Sequence, residues 1–321
     1  MPSLGANCPP ALPRPRPRWD TQVIVTIDEC RRFYADEVRF AANINSSSLI
    51  EAFARIPREK FLGLGPWQIA SPEARAMSLS GGIKTAYTQI DDPRDLYHNV
   101  VVVLDKEGDI NNGQPSALAR WIDEVDLKPG ERAYHLGCGV GYYTAMIAEV
   151  VGPTGSVIGV EFNPNLAARA KENLSGYENV TVHAGDGATF DPGPCDGMFI
   201  NAGATHPLPL WLDRLNVGGR LVVPLTMDMT PTLGVGVMTR IVKETAGFSF
   251  GIATQVGIYS CKNARDPKRE ALLRAAITGG KLGTIRSIRR ETHEHDETCV
   301  VHGDDVCMSG REVGKHSTEH Q

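Results

Sequence analysis

Residues 132–226 alternate apolar runs of strand length with stretches of helical periodicity, and that alternation constrains the fold more than any other feature of the chain. KPGERAYHL reads as a turn and a strand, and GYYTAMIAEVV as a helix with Tyr143, Met146, Ile147, Val150 and Val151 on one face. SVIGVE is the next strand. Asn163 and Pro164 then supply a cap and a proline at the first helical position, and Leu166, Ala170 and Leu174 continue that helix. NVTVHAGDG, CDGMFINAG and GGRLVVPL add three strands. Such alternation packs as a parallel sheet covered by helices on both faces, a Rossmann-like α/β core. A helix with Leu118, Trp121, Ile122 and Val125 on one face precedes it, and LGVGVMTRIV and FSFGIATQVGIYSC read as an antiparallel end of the sheet.

The rest of the chain divides around this core. Residues 1–20, rich in proline and arginine, predict a disordered arm. Residues 21–110 form an N-terminal helical and irregular region, with a serine-capped helix at 46–56 and a short strand at 100–104. The core takes 111–260, a C-terminal appendage with a helix in DPKREALLRAAI takes 261–309, and 310–321 reads as a disordered tail. With 321 residues, 41% of them hydrophobic, the chain buries a core without disulfide staples. A net charge of −5 offers no basic field for nucleic acid, and no apolar run is long enough to span a membrane. Seven scattered cysteines suit a reducing compartment, so a cytoplasmic location is expected. The assembly is left open between a monomer and a homodimer.

The glycine-rich turn HLGCGVGYYTA (135–145) joins a strand to a helix at the carboxyl edge of the sheet, where open α/β folds bind ligands. Gly137, Gly139 and Gly141 let a ligand approach the backbone. Glu161 ends the next strand, where a carboxylate accepts from two ribose hydroxyls. AGDG (184–187) ends the one after, placing Asp186 where an acid receives an adenine amino group. The dinucleotide fingerprint requires glycine at the position of Tyr142, so the three strand ends favour a single nucleoside ligand.

The run from Asn112 to Glu161, with HAGDG, GGRLVVPL and PREKF (57–61), resembles the protein-L-isoaspartate O-methyltransferase family. The resemblance implies a class I methyltransferase fold and S-adenosyl-L-methionine as cofactor. By position it implies that Gly137, Cys138, Gly139 and Gly141 line the methionine and ribose, and that Glu161 holds the ribose with Phe162 beside it. Asp186 and Gly187 then meet the adenine edge, and Asn201, at a further strand end, joins the cofactor set. Two positions depart from the family. His135 replaces the acid before the glycine loop, and Gly113, in Asn111-Asn112-Gly113-Gln114-Pro115, stands where the family carries an active-site serine.

A carboxylate acceptor is already ionised at neutral pH and needs only alignment and partial desolvation. Asn111, Asn112, Gln114 and Ser116, at the start of the helix before the loop, are the candidates for orienting it. His206, in NAGATHP (201–207), is the candidate substrate contact, and with His98 the candidate base should the acceptor be a phenol or alcohol; Tyr97 adjoins. The segment 293–307 collects His293, His295, Cys299, His302 and Cys307, but the spacing matches no common zinc module. A hydrogen-bonded strand and turn, without metal, is expected there. The sequence thus predicts an S-adenosyl-L-methionine-dependent O-methyltransferase that esterifies a carboxylic acid of a small molecule or modified peptide. Isoaspartyl repair, and a catalytically silent cofactor-binding partner protein, are the alternatives.

Overall fold

The computed structural model describes residues 25–70, 75–77, 83–105 and 110–314. The arm expected at 1–20 and residues 315–321 of the expected tail lie outside the described residues. The chain opens with α1 (Ile27–Ala42), α2 (Ser47–Arg55) and α3 (Arg58–Leu62), followed by β1 (Trp67–Ala70), β2 (Arg75–Met77), β3 (Ile83–Thr85), β4 (Thr88–Ile90), β5 (Val101–Asp105) and β6 (Ile110–Asn111). The core then runs α4 (Pro115–Val125), β7 (Arg132–Leu136), α5 (Tyr142–Val151), β8 (Ser156–Glu161), α6 (Pro164–Asn173), β9 (Val180–Ala184), β10 (Cys195–Ile200), α7 (Pro209–Arg214) and β11 (Leu215–Asp228). The long strands β12 (Leu233–Glu244) and β13 (Gly247–Tyr259) follow, then α8 (Pro267–Thr278), β14 (Ser287–Arg289), β15 (Cys299–Val301) and β16 (Cys307–Ser309).

Ten strands form one sheet in the order β15-β16-β14-β13-β12-β11-β10-β7-β8-β9. From β9 to β11 neighbours are parallel, and from β11 outward they are antiparallel. The appendage therefore continues the sheet through β14. Each parallel strand sends alternate side chains to opposite faces. Ala133, Val157, Phe199 and Val222 pack under α4, α5 and the N-terminal helices. Tyr134, Leu136, Val160, Met198 and Val223 pack with Trp211 of α7 and Leu273 of α8 on the other face. The chain winds from β7 to β8 to β9, then returns to lay β10 on the other side of β7. That reversal leaves a crevice beyond the strand ends. The register Leu136↔Val160, Glu161↔Ala184 and Leu136↔Ile200 aligns the ends around it. No helix among the described residues is long and apolar enough to cross a membrane.

One buried cation organises the N-terminal region. Arg58, at the start of α3, is fully buried, and its guanidinium donates to the carbonyls of Leu96, His98 and Val100 at 2.5, 3.1 and 2.8 Å. It also lies 5.5 Å from the centre of the Tyr34 ring. Tyr97 is part of this scaffold: its hydroxyl accepts from the Arg58 backbone N–H at 3.0 Å and donates to the Glu59 carboxylate. The segment held in this way carries Asn99, whose Oδ1 accepts from Ser116 N–H at 2.9 Å and so positions the first turn of α4. Arg58→Leu leaves three carbonyls without their donor and should lower unfolding free energy by about 3 kcal/mol or more, as read by urea denaturation. A loss no larger than that of a surface arginine would contradict this role.

Candidate active site

The glycine loop turns sharply between β7 and α5, with φ of 77°, 57° and 90° at Gly137, Gly139 and Gly141. Gly137 and Cys138 N–H donate to the Val160 carbonyl at 2.8 and 3.2 Å, stitching the loop to β8. The Glu161 carboxylate completes the tie: Oε2 accepts from Gly139 N–H at 2.8 Å and Oε1 from Asn163 N–H at 2.9 Å. A carboxylate offers about four lone-pair positions, so two remain for a ligand. A Cβ built on Gly139 would meet nothing within 4 Å, which makes this the open face of the loop. Asn201 backs the loop, its Nδ2 donating to Gly137 O at 3.2 Å. The Cys138 thiol is turned inward against Gly159, and burial pushes it up and keeps it protonated, so only its backbone belongs to the loop face.

Phe162, beside Glu161, is 51% exposed and offers an aromatic face at the crevice. At the end of β9, Asp186 Oδ1 accepts from Ala188 N–H at 2.9 Å, and Oδ2 accepts from Asn263 Nδ2 at 2.7 Å. Gly187 is buried instead of lining an edge: a Cβ there would strike Leu136 Cγ at 2.5 Å, and its carbonyl accepts from the Tyr134 hydroxyl at 2.8 Å. Asn263 belongs to a strap, residues 260–265, that leaves β13 and crosses the strand ends. Cys261 N–H donates to Gly203 O at 2.9 Å, and Thr205 N–H donates to Ala264 O at 3.0 Å. Lys262 Nζ stands 4.7 Å from the centre of the Phe162 ring. Sequence reasoning missed Lys262 and Asn263, because their partners lie just past the ends of β8 and β9, some eighty to a hundred positions earlier. An aromatic face, an open glycine turn, a carboxylate with spare acceptor positions and a second acid at the next strand end suit a nucleoside.

The expected acceptor segment sits at the turn between β6 and α4. Asn111 Oδ1 accepts from Gly113 N–H at 2.8 Å, an Asx turn, while its Nδ2 donates to the Tyr259 hydroxyl at 2.9 Å. Asn112 is buried, and its Nδ2 has no partner among the described residues. Gln114 is the N-cap position of α4, without a side-chain cap bond, and Ser116 lies in the first turn. Gly113 has φ of 73°, and a Cβ there would meet Leu118 Cδ2 at 2.6 Å. The family's serine would here carry a left-handed φ and require the Leu118 side chain to shift.

The histidines take different places from those expected. His206, the candidate substrate contact, is buried, its Nδ1 3.0 Å from Thr205 Oγ1. Burial, reinforced by Arg269, lowers it to about 4, so it lies against the C-terminal elements as a neutral ring. His135 is fully buried under α5, 2.9 Å from Thr144 Oγ1 and stacked on Phe199, and burial lowers it to about 3. It is a packing group and does not face the crevice. His98 is exposed, and its carbonyl serves Arg58. No histidine among these is placed as a base at the loop.

A family model described as Protein-L-isoaspartate(D-aspartate) O-methyltransferase matches residues 35–247. Protein-L-isoaspartate O-methyltransferase 1 of Archaeoglobus fulgidus is 35% identical over 62% of this chain and 80% of its own length. The protein-L-isoaspartate O-methyltransferase of Aeropyrum pernix is 30% identical over 70% of this chain and 79% of its own. A solved protein-L-isoaspartate O-methyltransferase shares the fold with a TM-score of 0.56 at 21% identity, covering 88% of each chain. A second, from Plasmodium falciparum and in complex with S-adenosyl-L-homocysteine, gives 0.52 at 18%, covering 72% of this chain and 98% of that one. The fold is that of class I methyltransferases, as the resemblance implied.

The two buried histidines set a pH dependence. Both are depressed in the folded chain, to about 3 and about 4, whereas an unfolded histidine titrates near 6.5. Below about pH 6.5 the unfolded chain therefore binds more protons, and stability falls by roughly 1.4 kcal/mol per pH unit for each histidine until its folded value is reached. Urea denaturation between pH 7 and 5 should show the fall, and His135→Gln should make it shallower. An unchanged slope in that variant would contradict the assignment.

Proposed function

The chain belongs to the protein-L-isoaspartate(D-aspartate) O-methyltransferase family, and from that premise we propose that it methylates the free carboxylate of an isoaspartyl residue carried on a polypeptide. The coarser statement needs no proposal: it is an S-adenosyl-L-methionine-dependent methyltransferase. The observation that carries the finer reading is the extent of the family match. It spans both the glycine loop and the turn before α4, and it favours the isoaspartyl acceptor, an alternative in the sequence reading, over the small-molecule or modified-peptide acid put first.

The cofactor brings an activated methyl group on a sulfonium, and the protein's part is binding, alignment and exclusion of water. We assign Glu161 to the ribose hydroxyls, for which its carboxylate would offer the acceptor positions left free by Gly139 and Asn163. Asp186, steadied by Asn263, would accept from the adenine amino group, and Phe162 would offer the adenine an aromatic face. The acceptor carboxylate is ionised, so displacement at the methyl carbon requires no proton removal. This agrees with two neutral, buried histidines. Asn112, with an uncommitted amide nitrogen, and the first turn of α4 orient the acceptor.

Gly113 favours a second reading. With no serine hydroxyl at this turn, a peptide acid other than isoaspartate is the alternative acceptor. An acceptor panel separates the two: an isoaspartyl peptide, its aspartyl counterpart and small dicarboxylic acids, each scored by the mass gain of one methyl group. The isoaspartyl peptide should be methylated about tenfold faster than the rest or better. Transfer to small diacids with none to the isoaspartyl peptide would overturn the proposal.

A further inference from the structure

Residues 291–309, at the edge of the sheet remote from β7 to β9, fold as a loop and the β15–β16 hairpin, with β16 paired to β14. His293, Cys299, His302 and Cys307 each bring one ligand atom into a cluster whose members all lie within 4.8 Å of one another. A tetrahedral zinc with bonds of about 2.0–2.3 Å to nitrogen and sulfur has ligand–ligand edges of roughly 3.3–3.8 Å. Cys299 Sγ and His293 Nε2 are already 3.5 Å apart. The His293 and His302 rings stand 5.0 Å apart at 78°, so neither stacks flat over the other's nitrogen.

The surroundings fit metal ligands. His293 Nδ1 is 2.8 Å from the Glu291 carbonyl. A carbonyl only accepts, so Nδ1 carries the hydrogen and Nε2 turns a lone pair toward the cluster. Asp296 N–H donates to Cys299 Sγ at 3.4 Å, the kind of contact that supports a thiolate. His302 Nδ1 is buried without a partner. The Asp296 carboxylate is held by Arg289, Arg311 and Thr298, which fixes the loop that presents Cys299.

We propose that His293, Cys299, His302 and Cys307 bind one zinc ion in a closed Cys2His2 site that pins the 291–299 loop to the hairpin. On binding, both thiols release their protons to solvent and the two thiolates and two neutral imidazoles fill the tetrahedron. Four protein ligands leave no open position, so the ion is structural and takes no part in methyl transfer. The spacing is that of no common module, which is why the sequence reading placed no metal here; the ligands come from a loop, a strand, a turn and a second strand.

The test uses the full chain, stripped with chelator under reducing conditions and titrated with cobalt(II) alone. About one equivalent should bind, with thiolate-to-cobalt charge transfer and the intense visible bands of a tetrahedral ion, and zinc should displace it. Cys307→Ser should lose the charge-transfer signature to most of its extent. His295→Ala should keep it: that ring is exposed and lies outside the four ligands. Wild-type chain that shows no charge transfer, or that proves by intact mass to hold a disulfide in place of two titratable thiols, would overturn the proposal. So would loss of the signature in His295→Ala with retention in Cys307→Ser.

Discussion

The Glu161 carboxylate joins two turns that would otherwise be independent. By accepting from Gly139 and Asn163, it ties the loop entering α5 to the loop entering α6, beside the β7 end next to which the strand order reverses. Hydrogen bonds to an ionised acceptor contribute about 1.5–3 kcal/mol, more than neutral ones. The tie also decides orientation, because it holds the open face of the glycine turn toward the crevice and leaves the outer lone pairs of the carboxylate there. The same group is thus a structural clamp and the natural receiver of a ligand's hydroxyls.

Two further devices converge on that crevice. From the N-terminal side, Arg58 fixes the carbonyls of residues 96–100, and Asn99 passes this order to the start of α4, next to the Asn111–Gly113 turn. From the C-terminal side, the strap after β13 reaches back to Asp186 and Phe162. The site is therefore assembled from segments before, within and after the parallel strands. The strap and α8 lie beyond the stretch matched by the family model.

How much of this was legible follows from how local each signal is. The core strands and helices stood out because strands buried on both faces are continuously apolar and because Asn163–Pro164 is a self-contained start signal; the Asn163 side chain indeed accepts from Asn165 and Leu166 N–H. The Asn-Asn-Gly turn was equally local. Helix α1 escaped notice because it is largely polar and buries only Tyr34, Ala35 and Val38, although Thr26 and Glu29 form a capping box that could have marked it. Burial of His206, pairing of Asp186 with Asn263, and convergence of the His and Cys side chains at 293–307 all depend on tertiary placement. No short window of sequence carries that information.

The most direct test of the account is calorimetric titration of the chain with S-adenosyl-L-homocysteine, comparing wild type with Glu161→Ala checked for native circular dichroism. If the crevice at the ends of β7, β8 and β9 holds the cofactor through Glu161, wild type binds and the folded variant loses about tenfold or more in affinity. Equal affinity in the folded variant, or no binding by wild type, would contradict the assignment of this crevice as the cofactor site.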